Sequence, residues 1–136
     1  MSNRTTFTVK QGKTFTRRVE YWYGDPPTKF DMTEYGARMQ IRPNFGSTTL
    51  YCDLSSSVGP DGTGLNMTPT SASVVLPKSS GSIGITISAH SSSQFTWREA
   101  FFDLEIYSGS GVSQIVHEVV QGKILVLPEI TKSQTG

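Results

Sequence analysis

Between Trp97 and Lys132 the chain reads WREAFFDLEIYSGSGVSQIVHEVVQGKILVLPEITK, and this stretch restricts the fold more than any other. Ala100, Phe102, Leu104 and Ile106 alternate with Phe101, Asp103, Glu105 and Tyr107, the period of two that belongs to a strand with one face in a core. Ser108-Gly109-Ser110-Gly111 supplies the backbone freedom of a hairpin turn. The return strand, Val112 to Leu127, is longer than a usual strand, and Gly122 is expected to break it with a bulge or a bend. Such a hairpin after several shorter strands points to an all-β sandwich and away from an enzyme scaffold built on helices.

The preceding segments repeat the alternation. Thr6 to Lys10 reads as a short strand and Gln11-Gly12-Lys13 as a turn. From Thr14 to Tyr23, Phe15, Val19, Tyr21 and Tyr23 share one face, and Arg18, Glu20 and Trp22 share the other. Gly24-Asp25-Pro26-Pro27 stops that strand, because proline cannot donate to a ladder and restrains the residue before it. Ala37, Met39 and Ile41 are then expected to point inward, with Arg38, Gln40 and Arg42 outward. Pro43-Asn44-Phe45-Gly46 turns into a strand carrying Cys52, and Ile83, Ile85 and Ile87 form another strand in register. Between them, residues 55–82 form a Ser/Gly-rich elaborated connection, in which Leu65–Met67 and Ser73–Leu76 are expected to make a small extra hairpin. Residues 89–96 read as a bend or a single helical turn. About seven principal strands result, and the expected fold is a two-sheet, immunoglobulin-like β-sandwich in one domain over residues 1–136, with a closed barrel as the alternative. Residues 1–5 and 128–136 are expected to be extended tails.

At 136 residues the chain can bury one core without metal or disulfide staples. Twelve basic residues against eleven acidic ones leave a net charge of +1, which gives no electrostatic case for nucleic acid or an anionic membrane as a partner. Cys52 is the single cysteine; in phase with Leu50 and Leu54, it reads as a small buried hydrophobe. The start of the chain lacks an apolar secretion segment, so synthesis in the cytoplasm is expected.

The residues supply no constellation for catalysis, cofactor or metal. His90 and His117 stand far apart, His90 reading as an exposed loop residue and His117 as one on a solvated or interface face of its strand. Asp103 and Glu105 share a strand face about 7 Å apart, which could suggest glycoside hydrolysis, but a solvated face pairing with Lys123 explains them better. Asp61-Gly62-Thr63-Gly64 reads as a turn with too few oxygens for calcium. The candidate partner surface is Arg18, Glu20 and Trp22, an exposed tryptophan flanked by charges, together with Pro128, Glu129 and Ile130 in the segment after the last strand.

Four segments carry a resemblance: Gln11-Gly12-Lys13-Thr14-Phe15; the run from Asp31-Met32-Thr33-Glu34-Tyr35 through Ala37-Arg38-Met39-Gln40-Ile41-Arg42; Asp103-Leu104-Glu105; and Gly122-Lys123-Ile124-Leu125-Val126-Leu127-Pro128-Glu129-Ile130-Thr131. In this order they resemble small structural proteins of tailed-bacteriophage virions, similar to the immunoglobulin-like N-terminal domain of baseplate upper proteins. The resemblance covers about two thirds of the chain and omits residues 55–82. It implies a non-enzymatic adaptor or connector in the tail, baseplate or fibre-attachment region, present in the virion in many copies and binding other virion proteins. Two alternatives carry over as expectations to be separated by experiment: a capsid decoration protein, and a carbohydrate-binding module for the host surface.

Overall fold

The computed structural model describes residues 4–128, about half of them in strands and few in helices. In chain order these are β1 (Arg4–Lys10), β2 (Phe15–Glu20), β3 (Trp22–Tyr23), β4 (Thr28–Lys29), β5 (Gly36–Arg42), β6 (Cys52–Ser55), β7 (Gly64–Asn66), β8 (Thr70–Ser71), β9 (Val74–Val75), β10 (Ser82–Ile87), β11 (Glu99–Ser108) and β12 (Ile115–Leu127), with one short helix, α1 (Ala89–Ser93), before β11. A five-stranded sheet runs β1-β12-β11-β5-β6 and a three-stranded sheet β2-β10-β7; β3-β4 and β8-β9 are two-stranded ribbons.

The two larger sheets share one core. Phe7 and Phe102 stack at 4.8 Å within the five-stranded sheet, and Phe7 meets Phe15 of the other sheet at 5.6 Å. The expected alternation holds in β5, where Ala37, Met39 and Ile41 are buried, and in β10, where Ile83, Ile85 and Ile87 are buried. Each of the isoleucine and methionine side chains contributes about 1.5–3 kcal/mol by leaving water, and Ala37 less. The cost of losing that burial holds these two strands in register.

The long hairpin departs from its sequence reading in two ways. A 3-10 turn at Gly111–Ser113 lengthens the connection, so the return strand begins at Ile115 rather than Val112. The irregularity lies at Val119, not at Gly122: Leu104 pairs with Val120 and Glu105 with Glu118, which makes Val119 the extra residue of a bulge. The bulge resets the alternation, so Val119 and Val120 are both buried. Gly122 answers a different need. β1 pairs in parallel with β12, placing Thr5 opposite Gly122. A Cβ at Gly122 would fall on the Thr5 carbonyl, 2.9 Å from its backbone nitrogen.

Residues 55–82 are more integrated than expected. Leu65–Met67 does not pair with Ser73–Leu76: Leu65 lies in β7, hydrogen-bonded to β10, and both Leu65 and Met67 are buried. The small hairpin is β8-β9, turned by Ala72 and Ser73, both at positive φ. Arg4 and Thr5, read as part of an extended tail, are paired in β1. The single strand expected from Thr14 to Tyr23 divides into β2 and β3.

Candidate interaction surfaces

The run from Arg18 to Trp22 leaves the three-stranded sheet at Glu20, and the chain doubles back through β3 and β4, with Trp22 opposite Lys29 and Tyr23 opposite Thr28. Of the three candidates at this end, Arg18 and Glu20 pair directly, and Trp22 is linked to them only through Lys29. The Glu20 carboxylate lies 3.6 Å from Arg18 Nη1 and 3.3 Å from Lys29 Nζ. Lys29 Nζ in turn sits 5.8 Å from the centre of the Trp22 ring. Trp22 nevertheless remains 51% exposed and Tyr23 53%. Partly exposed ion pairs of this kind add little stability, but as a chain they limit where the indole can point. Lys29 was missed in the sequence. Its signal was the Gly24–Pro27 turn, which folds Thr28 and Lys29 back onto Trp22 and Tyr23.

Beneath this ribbon one end of the core is lined by aromatic rings. Tyr21, Tyr23, Phe30 and Tyr35 surround His117 with ring centres 5.0–6.1 Å away. The Val119 bulge puts His117 opposite Ile106, on the inward side, so the expectation of a solvated or interface face for His117 is corrected. The Tyr21 hydroxyl oxygen lies 3.4 Å from His117 Nδ1. Burial, helped by Tyr23 and Tyr35, pushes the Tyr21 hydroxyl above the usual tyrosine range and keeps it neutral.

Pro128 is exposed just past β12, at the other end of the molecule. Ten residue steps along β12 separate His117, beside Tyr23, from Leu127, a span of about 33 Å at strand rise. The six candidate residues therefore do not form one patch: Arg18, Glu20 and Trp22 sit at one end and Pro128 at the other, while Glu129 and Ile130 lie outside the described residues.

The outer face of the five-stranded sheet carries charge that the sequence reading treated as solvated. Arg38 pairs with Glu105 and Lys123 with Glu99 at 3.6 Å, so Lys123 pairs with neither Asp103 nor Glu105. Burial, then Glu105 and Glu118, raise the Asp103 carboxyl above its usual range. On the same face, Phe45 and Phe101 approach to 5.0 Å and form an apolar floor beside Arg4 and Lys123.

The remaining singled-out residues have structural roles. Cys52 opens β6 and packs against the core, where burial pushes its thiol up, whereas Leu50 precedes the strand and is exposed. Asp61 accepts hydrogen bonds from Ser88 Oγ and Ser91 Oγ, both at 2.6 Å, and from the Thr63 amide at 3.1 Å. These bonds hold its carboxyl far below the usual range and tie the 59–64 turn to the start of α1. His90 is exposed and lies 3.1 Å from Gln94 Nε2. Among the described residues no group of three His, Cys, Asp or Glu side chains is arranged to hold a metal ion.

No protein-family model matches this chain, and no curated protein matches it.

Proposed function

We propose that the protein is a non-enzymatic structural adaptor of a tailed-bacteriophage virion, joining tail, baseplate or fibre proteins through an immunoglobulin-like domain. The observation that carries this reading is Trp22: a half-exposed indole on a two-residue ribbon, held by Lys29, with Glu20 and Arg18 alongside. A large, pre-positioned aromatic beside charges is the side-chain type that dominates protein–protein binding energy.

The strand order supports the domain type. β2-β10-β7 and β12-β11-β5-β6 follow the B-E-D and G-F-C-C′ orders of variable-type immunoglobulin domains. Together with the four matching segments, this supports the phage resemblance. Trp22 and Tyr23 are successive strand residues and point to opposite sides, which favours a single inserted anchor over a flat sugar-stacking platform. Repetition of the contact by the symmetry of a particle turns a modest affinity into a firm joint.

The test is gold-labelled antibody on intact particles, with copy number from quantitative mass spectrometry. Label at the tail end with tens of copies supports the adaptor. Label over the whole head with hundreds of copies makes the protein a capsid decoration protein instead, and absence from particles overturns both readings. Trp22→Ala should block incorporation while leaving the thermal unfolding midpoint unchanged; glycan binding lost in the same variant would move the assignment to carbohydrate recognition.

A further inference from the structure

We propose that the cleft over Phe45 and Phe101 receives the Pro128–Glu129–Ile130 segment of a second copy of this chain, so that copies join head to tail. The inference rests on the chemistry of the cleft and does not depend on the virion reading.

The cleft has a volume of about 250 Å³ and is lined by Arg4, Thr5, Thr6, Phe45, Phe101, Gly122 and Lys123. Its apolar floor is open, with Phe45 48% exposed. A cation stands over each ring: Arg4 Cζ lies 5.9 Å from the centre of Phe45, and Lys123 Nζ lies 5.9 Å from the centre of Phe101. Among the described residues no carboxylate lies within ion-pair distance of Arg4. Lys123 has Glu99 at 3.6 Å, with both side chains about half exposed, a pair weak enough to exchange for another carboxylate. Two cations beside an apolar floor complement a carboxylate next to an aliphatic side chain. In the sequence Glu129 and Ile130 form that pair, directly after a proline that cannot extend the ladder.

The direction of β12 selects a neighbouring copy as the source. The cleft lies at the Thr6–Lys123 rung, and β12 runs on from there to Leu127, which pairs with Lys10. At Leu127 the strand therefore stands about 13 Å past the cleft and runs away from it. Among the described residues β1 is the outer strand of its sheet, with no further strand on that side to meet an incoming segment. The two surfaces joined are different ones, and such a heterologous contact builds rings or filaments rather than closed two-fold dimers.

Sedimentation equilibrium of the full chain, from micromolar to millimolar concentration at low salt, tests the contact. The wild type should associate with increasing concentration. Lys123→Glu and Glu129→Lys should each weaken association by about tenfold, while circular dichroism shows both variants folded. An equimolar mixture of the two variants should recover association, because the native tail of the first meets the native cleft of the second and the two reversed charges meet at the other contact. A wild type that stays monomeric at 1 mM (on the order of the weakest useful contact), single reversals without effect, or a mixture that stays monomeric would each overturn the proposal.

Discussion

Thr5 and Gly122 face each other across the parallel β1–β12 pair so closely that the position of a Cβ on residue 122 is already taken by the Thr5 backbone. The neighbour is main chain rather than a flexible side chain, so it cannot step aside without moving the whole strand. Gly122→Ala should push β1 off the sheet edge and expose part of Phe7 and Val9, which β1 contributes to the core. The expected loss is about 3 kcal/mol, the upper end for overpacking. Urea unfolding measures it; a midpoint unchanged from wild type would refute the close approach.

Arg17 lies in β2 between Phe15 and Val19 and opposite Ile85, in phase with the core, and its guanidinium rests 5.0 Å from the centre of the Phe7 ring. β2 is the outer strand of the three-stranded sheet. A charge on the inward phase of an outer strand discourages other chains from pairing with it. Arg17→Val should leave folding stability within about 1 kcal/mol of wild type, yet increase light scattering on prolonged incubation. Arg17→Lys should stay clear. Equal scattering by the valine variant and the wild type would remove this role.

Asp61 makes stability depend on acid in a defined direction. Its carboxyl is held far below its ordinary value by Ser88, Ser91 and Thr63, so the folded state prefers the ionised form. The contribution is complete above the unfolded value of about 3.9 and is lost as pH falls below it. Asp61→Asn should lower the melting temperature at pH 7 and flatten its decline below about pH 4. Parallel curves for variant and wild type would show that the serine contacts are not formed in solution.

Asp103 acts in the opposite sense. Burial and the neighbouring Glu105 and Glu118 raise its carboxyl, so the folded state favours the protonated form and loses stability as pH rises from the unfolded value through the folded one. Asp103→Asn should therefore raise the melting temperature at pH 7, with the gain disappearing below about pH 4. A variant less stable than wild type at pH 7 would mean that attraction to Arg38 and Arg42 outweighs burial and repulsion.

Much of the all-β architecture is legible in the chain itself because strand patterning is local. Ala37, Met39 and Ile41, or Ile83, Ile85 and Ile87, announce their buried face through nearest neighbours alone, whereas alternation placed Tyr23 on the core face and yet Tyr23 is as exposed as Trp22, because the strand breaks at Tyr21. The sequence also placed the helical turn before Trp97. Tertiary structure decided whatever depends on a second strand. The Val119 bulge leaves no mark on one strand's periodicity, yet it turns His117 inward to meet Tyr21 and Phe30. The need for glycine at 122 comes from Thr5, more than a hundred residues earlier in the chain. Leu65 and Met67 lie in a Ser/Gly-rich stretch; pairing of β7 with β10 brings Leu65 into the core, and Met67 is buried just beyond β7. Lys29 reaches Trp22, and Arg4 reaches Phe45, through chain reversal and strand pairing. Local alternation determines which side chains leave water, whereas the contacts that build surfaces arise where distant backbones meet.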